Sequence, residues 1–200
     1  MDITEHNRQA WDAESCSGSE WSTPVDPDII RRARKGDWQI VLTPRRPVPA
    51  EWFGDIQEQF VLCLGSGGGQ QAPVLAAAGA KVTSFDLSDN QLAKDARVAE
   101  EHGLSIECVQ GDMADLSHFV DNHFDLIFHP VSNLFVPDVH AVWLGCHRVL
   151  KPNGILLAGF MNPSFFLFDH EEAAESGSLI VRHALPYSEP GSLEGKARKE

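Results

Sequence analysis

Phe60-Val61-Leu62-Cys63-Leu64 runs into Gly65-Ser66-Gly67-Gly68-Gly69, then an alanine-rich segment to Ala80, then Lys81-Val82-Thr83-Ser84-Phe85-Asp86. This stretch decides the fold. A short apolar run predicts a buried strand over 60–64. The glycines permit a tight turn and close backbone approach by a ligand. A helix over 70–78 would turn its unpaired N–H groups toward that turn. A second apolar run, 81–86, ends in an acid placed to accept hydrogen bonds from ribose hydroxyls. Strand, glycine turn, helix and acid-ended strand form a nucleotide cradle.

The same alternation continues outward. Strands are expected at 105–109, 124–129 and 154–160. Helices are expected at 88–102, capped by Ser88 and ended by Gly103, at 116–120 and at 138–150. Strands apolar on both faces, separated by helices, predict an α/β fold with a doubly wound, mostly parallel sheet. Right-handed crossovers would gather the post-strand loops along one sheet edge. Residues 1–52 differ and hold four of the five tryptophans, Trp11, Trp21, Trp38 and Trp52. A short helix over 7–14, a second over 27–35 started by Asp26-Pro27-Asp28, and an extended connector through Pro44, Pro47 and Pro49 are expected. Domain limits are read as an N-terminal helical cap or lid, 1–52, a cofactor-binding domain, 53–183, and a polar tail, 184–200. One further strand is expected over 179–183.

The net charge of −13 argues against a nucleic-acid partner, which needs a basic face. Four cysteines without a C-x-x-C pair suit a reducing, cytoplasmic setting. The N-terminus carries no apolar signal segment, and no stretch is long enough for a membrane span. The histidines show no metal-ligand spacing, so no metal is expected.

A dinucleotide site would need G-x-G-x-x-G, but Gln70 stands at the third glycine. Three other stretches discriminate: Phe85-Asp86-Leu87, Gly111-Asp112-Met113, and Leu150-Lys151-Pro152-Asn153-Gly154. With Val61-Leu62-Cys63-Leu64-Gly65-Ser66-Gly67-Gly68-Gly69 and Phe124-Asp125-Leu126-Ile127, the chain resembles the class I S-adenosylmethionine-dependent methyltransferases over residues 56–162. The resemblance implies a Rossmann-like sheet of seven strands with the last antiparallel, and S-adenosylmethionine as cofactor. It implies that Gly65, Ser66, Gly67 and Gly69 line the cofactor's methionine end and that Asp86 takes the ribose hydroxyls. Leu87 would lie on the adenine, Asp112 and Met113 would hold its edge and face, and His129 would sit by the reactive end.

Two departures stand out. Cys63 occupies the position where the family often has an acid, so another group must serve. The closing strand hairpin is also short of residues, which leaves an edge where a homodimer could form.

Methyl transfer demands positioning more than acid–base chemistry. His129, in His129-Pro130-Val131-Ser132-Asn133, is the candidate general base because its ordinary pKa lies near neutrality. Ser132, Asn133, Trp11 and Trp21 are candidate contacts to a small-molecule methyl acceptor. Two other readings stay open at this point: an S-adenosylmethionine-binding protein without turnover, and an NAD-dependent oxidoreductase.

Overall fold

The computed structural model describes residues 2–43 and 46–185. Helix α1 (Ile3–Ser17) is longer than the expected 7–14 because both ends are capped. The Asp2 carboxylate accepts the N–H groups of Thr4 and Glu5, and Gly18 ends the helix at φ 80°. Helix α2 (Pro27–Ala33) starts at the Asp26 cap with Pro27 in its first turn. The expected extended connector instead contains a two-stranded hairpin, β1 (Val41–Thr43) and β2 (Arg46–Pro47), and a 3-10 turn at Ala50–Trp52. Pro44 lies outside the described residues.

The decisive stretch folds as read: β3 (Phe60–Leu64), the glycine turn, α3 (Gln71–Ala77) and β4 (Lys81–Asp86). Then follow α4 (Asp89–His102), β5 (Ile106–Gln110), β6 (Phe124–His129), α5 (Val139–Val149) and β7 (Leu150–Ala158). The sheet order is β5-β4-β3-β6-β7, and all neighbouring strands are parallel. The order reverses at β3, so loops leaving β3, β4, β5 and β6 meet at one edge.

The sheet is covered on both faces. On one face, Val61, Cys63, Val82, Leu126 and Phe128 pack with Val74 and Leu75 of α3. Ile30 of α2, Ile40, Leu42, Val48 and Phe53 join the same core, so the N-terminal segment is built into it. On the other face, Leu62, Leu64, Phe85 and Ile127 pack with Val142, Cys146 and Val149 of α5.

Several expectations are corrected. Residues 116–120 form turns rather than a helix, because Arg148 takes the carbonyls of Leu116 and Phe119 at 2.7 and 2.8 Å. Strand β7 starts at Leu150, not 154. Lys151-Pro152-Asn153-Gly154 bulge out of the β6 pairing between Leu150 and Ile155, with Asn153 at φ 66°. The expected seven-stranded sheet is five-stranded and wholly parallel among the described residues.

By contact the chain divides into two compact units, Met1–Phe160 and Met161–Glu200. In the second, a 3-10 turn (Pro163–Leu167) precedes α6 (His170–Ser176), and the His170 ring stacks on Phe165. The strand expected over 179–183 is reduced to one antiparallel bridge, Val181 with Phe168. Leu179 and Val181 are exposed there, so burial gives the run no reason to extend. Nearly all of the polar tail, from residue 186, lies outside the described residues.

Candidate active site

The glycine turn is held at several backbone points. Gly65 donates its N–H to Phe85 O at 2.8 Å, and Gly67 donates to Asp86 Oδ2 at 3.0 Å. Asp86 Oδ1 accepts the Ser88 N–H at 2.9 Å, so the end of β4 and the turn after β3 share one carboxylate. Burial raises the Asp86 pKa, and the three backbone N–H groups of Ser88, Gly67 and Leu87 oppose that rise. Gly65 sits at φ 59°, and a Cβ there would come within 2.6 Å of Ser132 Oγ and 3.1 Å of Met113 Cε. Only glycine fits.

Asp112 follows β5. Its Oδ1 accepts the Ala114 N–H at 2.9 Å and its Oδ2 accepts the Thr4 hydroxyl at 3.0 Å. Leu87, which follows β4, and Met113, which follows Asp112, are both half-buried. His129, the last residue of β6, has no exposed surface. A carbonyl can only accept, so the 2.9 Å contact of Nδ1 with Leu64 O fixes the proton on Nδ1. Nε2 is then a lone-pair acceptor, buried and without a partner, while Trp143 meets the ring edge-on at 5.8 Å. Burial pushes the His129 pKa below its ordinary value, so the ring is neutral at pH 7. Ser132 Oγ lies 3.3 Å from Nδ1.

The N-terminal segment spans this edge. Besides Thr4, Asn7 donates to Phe135 O at 2.7 Å, and Trp11 meets the Phe135 ring edge-on at 5.3 Å. Asp12 Oδ1 accepts the Ser88 hydroxyl at 2.5 Å. Lys94 reaches the carbonyls of Ser15 and Ser22 at 2.6 and 2.5 Å, and Gln91 donates to Ser22 Oγ at 2.6 Å. The 3-10 turn at Glu20–Ser22 brings Trp21 O within 3.2 Å of the position a Gly68 Cβ would take. Trp21 itself is 49% exposed. Asn133 Nδ2 is committed to Gly159 O at 2.6 Å.

The fold thus brings Gly65, Ser66, Gly67, Asp86, Leu87, Asp112, Met113, Ser132 and His129 to one sheet edge, with Trp11 on the segment above. Sequence reading missed Thr4, Asn7, Asp12, Gln91 and Asp95. Asp95 was legible: Leu92, Asp95, Val98 and Ala99 form the buried stripe of α4, and an acid on such a stripe is anomalous.

The residues fit S-adenosylmethionine. Gln91 Oε1 is buried at the glycine turn without a partner, and the buried Ser66 hydroxyl has the weakly bonding Cys63 thiol beside it, which is the provision a ligand's polar groups need. A parallel sheet with this order and a glycine turn at its reversal define a nucleotide-type cofactor site on a Rossmann-like scaffold. A methyltransferase domain family matches residues 62–158. A Bacillus subtilis (strain 168) relative, named an uncharacterized methyltransferase, YbaJ, is 51% identical over 191 residues, covering 96% of this chain and 74% of that protein. A ubiquinone biosynthesis O-methyltransferase of Pseudomonas syringae pv. tomato is 31% identical, covering 70% of this chain and 60% of the relative. Among solved structures, an arsenic(III) S-adenosylmethionine methyltransferase from Chlamydomonas reinhardtii aligns with TM-score 0.51 and 27% identity, over 66% of this chain and 48% of that one. The chain therefore spans less than two thirds of the latter two. It belongs to the class I S-adenosylmethionine-dependent methyltransferases, and the NAD-dependent reading falls away. Among the described residues, no helix is long and apolar enough to cross a membrane.

Proposed function

We propose that this methyltransferase acts on a small-molecule acceptor enclosed between the ends of β3, β5 and β6 and the N-terminal segment. The observation that carries this is the bridging of the sheet edge by α1, through Thr4 to Asp112, Asp12 to Ser88 and Asn7 to Phe135 O. A site roofed by its own chain suits a small acceptor better than a macromolecular one. The net charge of −13 also disfavours a nucleic acid.

When bound, S-adenosylmethionine supplies a methyl group on a positively charged sulfur, already activated for displacement. Gly65, Ser66, Gly67 and Gly69 give the backbone room for its methionine end, while the N–H groups of Gly65, Gly67 and Gly69, donated to Phe85 O, Asp86 and Asp95, hold the turn in shape. Asp86 accepts ribose hydroxyls with the lone pairs its three backbone partners leave free. Leu87 and Met113 offer apolar contact to the adenine, and Asp112 accepts from its edge. Trp11, Ser132 and Asn133 line the acceptor side, with Trp21 at its rim. For His129 Nε2, neutral and unpartnered but buried beside Trp143, to take the acceptor's proton, the acceptor must displace the packing over it, while Nδ1–H stays on Leu64 O and fixes the tautomer. Holding the nucleophile in line supplies the larger part of the acceleration.

The test is turnover of S-adenosylmethionine against a panel of small hydroxylated, amine and thiol acceptors, with proteins and nucleic acids in parallel. Methylation confined to the small molecules is expected. Methylation of macromolecules alone would sink the proposal.

A further inference from the structure

Asp95, on α4, has no exposed surface. Its Oδ1 accepts the Gly69 N–H at 2.7 Å, and its Oδ2 accepts the Ser84 hydroxyl at 2.6 Å. It thus ties the end of the glycine turn to β4. That turn needs external ties: Gly68 and Gly69 sit at φ 90° and 78°, and glycine is the residue that loses most freedom on ordering. Among the described residues, the Gly68 N–H reaches Gln91 O at 3.3 Å, and Gly69 O accepts the Val25 N–H at 3.0 Å.

A carboxylate in this place is costly. Burial pushes Asp95 up to about 7, the Asp86 carboxylate adds repulsion, and the hydrogen bonds from Ser84 and Gly69 offset part of this. The other titratable groups that face it are thiols. Cys63 on β3 and Cys108 on β5 are both driven upward by burial first and by Asp95 second, so both stay neutral. Lys94, its neighbour on α4, turns its ammonium to Ser15 O and Ser22 O instead.

A buried acid that works against folding and whose bonds go to the glycine turn has a purpose at that turn. We propose that Asp95 is a positioning residue for methyl transfer: its carboxylate fixes the Gly69 N–H and so sets the glycine turn for the cofactor, supplying the charge that Cys63 does not. The inference rests on reading the turn as the cofactor's seat.

The test uses the full chain, wild type and Asp95→Asn, with thermal melting to confirm folding. S-adenosylhomocysteine binding is measured calorimetrically from about pH 6 to about pH 8.5, on either side of the Asp95 titration. Exchange of the Gly69 amide is followed by NMR over the same range. A charge-assisted bond is about twice as strong as a neutral one, so wild-type affinity should rise about fivefold across the range. Asp95→Asn should stay flat at the weaker value, and Gly69 should be protected in wild type at high pH and exchange faster in the variant. A merely structural Asp95 would change the melting temperature and leave the pH profile of affinity as in wild type. That result, or Gly69 exchange identical in the two proteins, overturns the proposal. Wild type that binds no S-adenosylhomocysteine at any pH would instead defeat the cofactor reading, and Gly69 exchange would still decide the role of Asp95.

Discussion

Gly67 donates its backbone N–H to Asp86 at 3.0 Å, and that bond joins the glycine turn to the acid that closes the Phe60–Asp86 stretch. The carboxylate serves twice. It holds the turn after β3, and it presents its remaining lone pairs where β4 ends. Asp86→Ala should therefore weaken S-adenosylhomocysteine binding by about 1–3 kcal/mol, the cost of leaving polar partners unpaired. Calorimetry on the folded variant checks this, and unchanged affinity would place the cofactor elsewhere.

Gly65 gives a steric counterpart. At φ 59°, with Ser132 Oγ 2.6 Å and Met113 Cε 3.1 Å from a hypothetical Cβ, alanine meets backbone strain and a clash together. The left-handed conformation alone costs about 1–2 kcal/mol in a non-glycine residue. Gly65→Ala should lower the urea midpoint and abolish detectable cofactor binding at micromolar concentrations. Binding at wild-type strength would show that the turn has room the geometry denies.

His129 should separate chemistry from binding. Its Nε2 is the unpartnered acceptor, while its Nδ1 serves the scaffold through Leu64 O. His129→Ala should reduce kcat by about 10²–10⁴-fold and change S-adenosylhomocysteine affinity little. Because burial lowers its pKa, the acid limb of kcat at saturating substrates should fall below about 6.5, the ordinary histidine value. Equal losses in kcat and cofactor affinity would mark His129 as a cofactor contact without a base role.

Asp95 also predicts a stability profile. Its folded pKa, about 7, lies above the unfolded value, so folding favours the protonated form. The resulting stabilisation is complete below about pH 4 and is lost as pH rises through about 7. The span is on the order of 4 kcal/mol. Asp95→Asn, which carries no titrating group, should lose less stability than wild type between pH 5 and pH 8. Urea denaturation at the two pH values measures the difference, and parallel profiles would contradict it.

The strands were legible where apolar runs are bounded by turn residues. Phe60–Leu64, Lys81–Asp86 and Phe124–His129 fall where expected because they are buried on both faces and carry no ambiguity of period. The turn at Lys151-Pro152-Asn153-Gly154 was legible as a turn but not as a bulge, because a bulge is defined by the partner strand. The absent helix at 116–120 depends on Arg148, some thirty residues away, taking its carbonyls. The cofactor-side residues were legible from spacing along strand ends. The roof was not: Thr4 to Asp112 and Asn7 to Phe135 O join residues more than a hundred positions apart, through polar side chains with no local pattern.

The central claim is that the edge formed by Gly65–Gly69, Asp86 and Asp112 seats S-adenosylmethionine. Titration calorimetry of the purified chain against S-adenosylhomocysteine, S-adenosylmethionine and NAD tests it most directly. One-to-one binding of both sulfur compounds, weakened in Asp86→Ala, with no heat from NAD, is the predicted result. Binding of NAD and of neither sulfur compound would contradict the account.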